Sequence, residues 1–372
     1  MNLQVLDPSN PLWLETLQTL RHDVFHLPDY MTLEARRLHA VPEAVLLTQG
    51  DCVFFLPYLL RQCSFGLDGE AIPNLEDVPD LFDVVSPNGY AGILLNQAAA
   101  GQSDFLATAM QQVLQIFSDR AICSAFLRLH PILNQGFQEI YQSQDCMATI
   151  ETIVIDLTLP EAELRRQIRR NFCDILKKRH REGFTARMVP FQDYVDVFSS
   201  IYEETMERVG ASKVSYFGHD YFCQLANQLG DYLQLCIVEF EHQITCAGLF
   251  TECCGIVQHH LNGTRTQFLK QSPNILLNDC ARFWAKERGN EVLHLGGGVG
   301  GKKDNLYHFK IGFSPITQLL PVLHLITNQS VYTQLTELRA KALQIPVEQL
   351  LKTGFFPAYR SPAPVEQQLE FK

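Results

Sequence analysis

Two hydrophobic rhythms alternate along this chain, and the alternation occurs twice. Short apolar or every-second-residue runs predict strands, and apolar residues recurring every three to four positions predict helices. In the first part LQVL predicts a strand, and Trp13, Leu17 and Leu20 predict a helix capped by Ser9. AVLLTQGDCVFFLPYLL predicts a hairpin around TQGD, FDVVSPNGYAGILL follows, and a helix over 103–117 leads into the strand ICSAFLRL. In the second part TIVIDL predicts a strand, 159–181 one long basic helix, FTARMV a strand, and 191–208 and 219–229 helices. LQLCIVEFEHQITCAGLFTECCGIVQHHLNGT predicts three strands with turns at EFEHQ and ECCG, followed by a helix over 274–288 and the strand VLHL.

Strands and helices in this order predict an α+β class with mixed sheets flanked by helices. The doubled order and the 372-residue length predict two domains, 1–150 and 151–345, with a loose C-terminal tail over 346–372. Hydrophobic residues at 46% and charged residues at 19% are ordinary for a globular enzyme able to bury a large core.

A net charge of -11 disfavours a duplex DNA binder, although local basic patches can still hold phosphates. Eleven scattered cysteines without C-x-x-C spacing predict neither a metal site nor a disulfide framework, and fit a reducing cytoplasm. The N-terminus lacks a signal-like pattern, and no segment has the length and apolarity of a transmembrane span.

The densest chemistry lies in EVLHLGGGVGGKKDNLYHFKIGFSP, residues 291–315. From Gly296 the spacing reads G-x-x-x-x-G-K, but Lys303 occupies the position where a P-loop needs a hydroxyl for magnesium. Gly312 and Pro315 also leave room for only a short helix, so a P-loop ATPase is disfavoured. Gly296, Gly298 and Gly301 match a dinucleotide fingerprint without its βαβ context. A mobile turn needs only the glycines, yet Lys302, Lys303, Asp304, Asn305, His308 and Lys310 follow within the same stretch and favour ligand contact.

The second concentration of charge is LRRQIRRNFCDILKKRHREG. On a helical wheel Leu164, Ile168, Phe172, Ile175 and Leu176 share one side, and Arg166, Arg170, Lys177 and Arg181 the other. A solvated face explains such a stripe; a phosphate clamp is the alternative.

Several segments together resemble the Fem-like, peptidoglycan-bridge-related branch of the GNAT N-acyltransferases. FDVVSPNGYAGILL is similar to its SPYGYGGP signature, LRRQIRRNF…KKRHREGF to a basic helix opening its second domain, and LHLGGG…DNLYHFKIGFSP to its LHLGGG…DSLxxFKxxFS ending. The resemblance spans roughly residues 25–315 and implies two tandem GNAT-like domains. It also implies acyl transfer to an amine in the second domain or between the two. The donor it favours is acyl-CoA, such as acetyl-CoA, with an amino sugar or a lipid-linked cell-envelope precursor as acceptor, in a bacterial cytoplasm or at the inner membrane surface. Aminoacyl-tRNA is the alternative donor, and a binding module that has lost catalysis is the competing class. Asn88 and Asn305 depart from the motifs, and no long helical hairpin insertion is visible.

By resemblance Phe309 and Lys310 map onto an aromatic–lysine pair near the transfer centre, and Arg169 or Arg170 onto a basic phosphate-binding residue. Lys310, Phe309 and Asp304 are therefore the candidate catalytic residues. Arg166, Arg169, Arg170, Lys177, Gly296, Gly297, Gly298, Lys302, Tyr90 and His259 are the candidate binding residues. Lys310 is assigned charge stabilisation, Phe309 the acyl pocket, and the 296–298 amides and basic helix the anionic substrates. No general base is identifiable: His259 and His260 are neighbours on a predicted strand and face opposite ways.

Overall fold

The computed structural model describes residues 1–63, 81–211 and 215–362. The chain divides into two compact units, one of Met1–Leu20, Glu34–Ala148 and Pro321–Lys372, the other of Arg21–Leu33 and Thr149–Leu320.

The first unit holds β1 (Asn2–Leu6), α1 (Pro11–Thr19), the last four residues of α2 (Pro28–Arg37), β2 (Val41–Gln49), β3 (Cys52–Gln62), β4 (Phe82–Val85), β5 (Leu94–Leu95), α3 (Ser103–Asp119), β6 (Ile122–Arg128) and α4 (Phe137–Ile140). Its sheet runs β1-β2-β3-β4-β6, with β5 also on β3 and only β4 and β6 parallel. The TQGD hairpin forms as predicted, Gln49 pairing with Cys52 around Gly50 at φ +56°. The predicted cap of α1 is displaced by one residue. Asn10 accepts from the Leu12 amide at 3.1 Å, whereas Ser9 is drawn back onto Asp7. The core is filled from the sheet by Val45, Phe54, Leu56 and Tyr58 and from α3 by Leu106, Met110, Val113 and Phe117.

The second unit contains nearly all of β7 (Cys146–Asp156), then α5 (Glu161–Gln167), α6 (Arg170–Glu182), β8 (Thr185–Pro190), α7 (Val195–Arg208), α8 (His219–Leu229), β9 (Leu233–Phe240), β10 (Gln243–Cys253), β11 (Ile256–Thr264), α9 (Pro273–Glu287), β12 (Val292–Gly296) and α10 (Asn305–Lys310). Its sheet order is β7-β12-β11-β10-β9-β8, and only β11 and β12 are parallel. The two units share one grammar. Three antiparallel strands lead through a helix to a strand parallel to the third, β2-β3-β4-α3-β6 in one and β9-β10-β11-α9-β12 in the other. The doubled order read from the hydrophobic pattern is thus a doubled mixed-sheet α+β architecture.

The single basic helix expected over 159–181 is broken. Ile168 and Arg169 are extended, with ψ of 136° and 133°, between α5 and α6. The break frees the Arg169 amide to donate to the Gly312 carbonyl at 2.8 Å while Ile168 and Phe172 stay buried. The apolar face survives, but the cationic residues no longer lie along one helix.

The chain then returns to the first unit through β13 (Thr317–Ile326), whose later residues pair with β6, followed by α11 (Gln329–Ala342) and α12 (Val347–Lys352). Residues 358–360 are buried in that unit, where Tyr359 packs at 5.5 Å against Tyr332. The end of the expected tail, 363–372, lies outside the described residues.

Candidate active site at a diverging strand pair

Parallel strands can stay paired only while both remain straight. The β11–β12 ladder holds for three rows, Ile256–Val292, Val257–Leu293 and Gln258–His294, and then opens. Two irregularities force the strands apart. β11 bulges at its β10 edge, where the register slips so that Phe250 faces His259, and β12 kinks at Gly296, which has φ +76°. The sheet therefore presents a seam open beyond Gln258 and His294.

His259 is the first β11 residue past the last paired row. Its imidazole stacks on Phe250 at 4.7 Å, and its Nε2 is buried without a hydrogen-bond partner. Asn278 of α9 lies beside it, donating to the Asn274 carbonyl at 2.8 Å while its own Oδ1 is also unpartnered. Burial, reinforced by the positive charge of Lys310, pushes the His259 pKa down to about 3, against the opposing pull of Asn278. The imidazole is neutral at physiological pH.

Lys310 reaches the seam from the other strand's side. Its Nζ donates to the Gly297 carbonyl at 2.7 Å. Burial pushes its pKa down to about 8, only partly countered by the Asp304 carboxylate. Among the described residues it has no carboxylate within ion-pair distance. It is a largely protonated, poorly compensated cation beside a neutral histidine.

The glycine loop exists to hold this arrangement. Asp304 caps α10, accepting from the Tyr307 amide at 2.9 Å and from the Val299 amide at 3.1 Å, which folds the loop back on itself. Those two bonds keep its carboxyl below the usual range. Gly298 has no space for a side chain, since a Cβ there would lie 2.0 Å from the Lys302 carbonyl oxygen and 2.4 Å from Asp304 Oδ1. Lys303, the residue that spoils the P-loop spacing, donates to Glu151 at 2.8 Å, and Tyr307 donates to the same carboxylate at 2.7 Å.

The structure brings together Lys310, His259, Gly296 and Gly297, with Asp304 and Gly298 shaping the loop behind them. Phe309 sits next to Lys310 but turns into the core, 5.6 Å from Phe172 and 5.4 Å from Phe313. Lys302 is exposed on the loop. Arg166, Arg170 and Lys177 are exposed on α5 and α6, and Arg169 lies over the Phe172 ring at 5.6 Å. Tyr90 belongs to the first unit, in edge contact with His130 at 6.4 Å. The sequence reading missed Asn278. Its signal is a polar residue among Ile275, Leu276, Leu277 and Ala281 on the buried face of α9, which also carries Arg282. A surface depression of about 360 Å³ lined by Val197, His242, Gln243, Ile244, Arg265 and Gln267 contains none of these residues.

The two-unit fold is similar to that of FemX. The particular likenesses are to solved structures. FemX matches with a TM-score of 0.66 at 12% identity, over 90% of this chain and 99% of FemX. The C-terminal DUF2156 domain of an Agrobacterium fabrum protein assigned as a lysylphosphatidylglycerol synthetase matches at 0.51 and 12%, over 84% of this chain and 90% of that one. A conserved protein of unknown function from Bacteroides thetaiotaomicron matches at 0.52 and 9%, over 88% and 99%. No family model and no curated protein matches the sequence.

Proposed function

We propose that the second unit is an N-acyltransferase that joins an acyl group to a primary amine at the opening between β11 and β12. The observation that carries this reading is the Lys310 ammonium held on the Gly297 carbonyl, its charge felt by the neutral imidazole of His259, whose buried Nε2 has no hydrogen-bond partner. The likeness to FemX and to the lysylphosphatidylglycerol synthetase domain supports a transferase, the latter named for an aminoacylated lipid.

In this reading the amine nitrogen attacks the acyl carbonyl carbon. Negative charge develops on the carbonyl oxygen, and Lys310 stabilises it at short range in a site of low dielectric. His259 accepts a hydrogen bond from the amine and orients its lone pair; with a pKa of about 3 it stays neutral, and the proton passes to water. Collapse of the intermediate breaks the bond to the leaving group, which Lys310, with a pKa of about 8, protonates, and water returns a proton to Lys310. The open seam offers unpaired strand backbone to an extended donor arm, and exposed Lys302 offers a counter-charge to its phosphates.

Acyl-CoA is the proposed donor, with an amino sugar or the headgroup of an envelope precursor as acceptor. The test incubates purified full-length protein with acetyl-CoA and a panel of amino-sugar acceptors and follows free thiol. Amine-dependent thiol release that is lost in Lys310→Ala is the expected result. Thiol release that persists in Lys310→Ala overturns the site. No release with any acyl-CoA, together with acyl transfer from aminoacyl-tRNA, replaces the donor. Ligand binding without turnover from either donor overturns the enzyme reading.

A further inference from the structure

Soft metal ligands converge at the start of β11, away from the residues of the acyl-transfer reading. Cys253 ends β10, and Cys254 with Gly255 forms the turn into β11, both in left-handed conformations with φ of +45° and +78°. His22 lies at the start of the Arg21–Leu33 segment, which belongs to the same unit. The ring nitrogen of His22 and the two sulfurs all lie within 4.8 Å of one another. Cys254 Sγ is 3.8 Å from Cys253 Sγ and 3.7 Å from His22 Nδ1.

The two separations at Cys254 are those of ligands on one small cation. Tetrahedral zinc, with sulfur at ~2.3 Å and imidazole nitrogen at ~2.0–2.1 Å, places its ligands roughly 3.5–3.8 Å apart. The supporting contacts are also present. Arg21, adjacent to His22, donates to the Cys254 carbonyl at 3.3 Å and to Glu291 at 2.8 Å, and the Glu291 amide donates to the Gly255 carbonyl at 2.9 Å. Outer contacts of this kind orient metal ligands and reduce the reorganisation on binding. Cys253 is buried and Cys254 exposed, so a cation can enter from solvent and be held against the sheet.

We infer that His22, Cys253 and Cys254 bind a thiophilic d10 cation, zinc in the first instance, with water in the fourth position. Two thiolates and one imidazole favour zinc over magnesium or calcium, which take oxygen ligands. The cation ties the start of Arg21–Leu33 to the β10–β11 turn. The next residue, Asp23, accepts from Gln258 at 2.7 Å, and Gln258 accepts from His294 at 2.5 Å, the last paired row below the open seam. Metal occupancy therefore rigidifies the row on which the seam rests.

The test titrates reduced full-length protein with cobalt(II), whose spectrum reports both ligand type and geometry. One equivalent giving thiolate charge-transfer bands and intense tetrahedral d–d bands, displaced by zinc(II), is the expected result. Cys254→Ser and His22→Ala each lower affinity at least tenfold, whereas Cys223→Ser, whose sulfur lies near His219, leaves it unchanged. As an independent readout on the unmutated protein, zinc(II) slows alkylation of Cys254 at least tenfold. A weak octahedral cobalt spectrum, equal binding in the two ligand variants, or alkylation indifferent to zinc overturns the site.

Discussion

Each unit contains one parallel seam, and the two seams end differently. In the first unit β4 and β6 pair through Val85–Phe126, and the ladder is then extended. The Ser86 amide donates to the Phe126 carbonyl at 3.0 Å, the Arg128 amide donates to Ser86 Oγ at 2.9 Å, and the Arg128 guanidinium donates to the Pro87 carbonyl at 2.6 Å. The charge on this seam is saturated too. Asp83, fully buried on β4, accepts from Arg61 at 2.9 Å, from the Tyr359 hydroxyl at 3.1 Å and from Arg360. Burial works to raise its pKa, and the two guanidiniums overcome that and lower it. In the second unit the seam opens after three rows, and the Lys310 ammonium, whose charge is felt by the His259 imidazole, has no carboxylate within ion-pair distance among the described residues. Buried polar groups with full sets of partners hold a fold together, whereas incompletely satisfied ones mark a place where a ligand belongs. The same strand grammar therefore yields a sealed seam in one unit and an open, incompletely satisfied one in the other.

The largest expected effect breaks the sealed side. Asp83→Ala leaves two buried guanidiniums without their carboxylate and lowers stability by about 3–5 kcal/mol, read as a lower midpoint in urea unfolding. On the open side the expectation reverses. Lys310→Ala lowers kcat by about 10²–10³-fold, and the midpoint stays level or rises because a poorly compensated buried charge has been removed. Equal loss of stability in both variants would erase the distinction between the seams.

A pH series sharpens it. Lys310 releases its proton near pH 8 when folded and near the ordinary lysine range when unfolded. Between those values the unfolded chain binds more protons, so stability rises with pH while kcat falls as the ammonium is lost. Lys310→Arg moves the alkaline limb of kcat upward. Smaller again is the acid side. His259 titrates near 3 folded against about 6.5 unfolded, so stability falls as pH drops from about 6.5 towards 3. His259→Gln removes that share of the acid sensitivity, measurable by thermal unfolding at pH 7 and pH 4. The smallest effect belongs to the residue that spoils the P-loop spacing. Lys303→Ala leaves kcat unchanged and produces no magnesium-dependent ATP binding by calorimetry, because Lys303 serves Glu151 at the loop's edge.

Much of the fold was legible because burial imposes periodicity. Helix α8 lies over the residues predicted for it, α9 is displaced by one, and the three-strand meander appears in the predicted order. Where reading failed, distant contacts overrode local preference. The basic run 159–181 has uninterrupted helical periodicity, yet it breaks at Ile168 because the Gly312 carbonyl recruits the Arg169 amide. β13 was not predicted, since Pro321 interrupts an apolar run whose pairing partner, β6, lies far earlier in the chain. The cysteine spacing gave no sign of the His22, Cys253 and Cys254 cluster, because His22 stands 232 residues from Cys254 in sequence. The adjacent cysteines carried the only local trace.

The sequence alone determined the α+β class, the doubled strand–helix order and the apolar face of 164–176, and it singled out the stretch ending in Lys310 as the densest in polar chemistry. Each follows from local periodicity or from the chemistry of single side chains, which a linear pattern records directly. Only the tertiary structure decided that Phe309 packs inward and that Gly297 offers a carbonyl to Lys310. It likewise decided that His259, with Asn278 beside it, stands where the β11–β12 pairing ends. Those outcomes depend on where two parallel strands part, which is set by a bulge on one strand, a positive-φ glycine on the other and the helix packed beneath them.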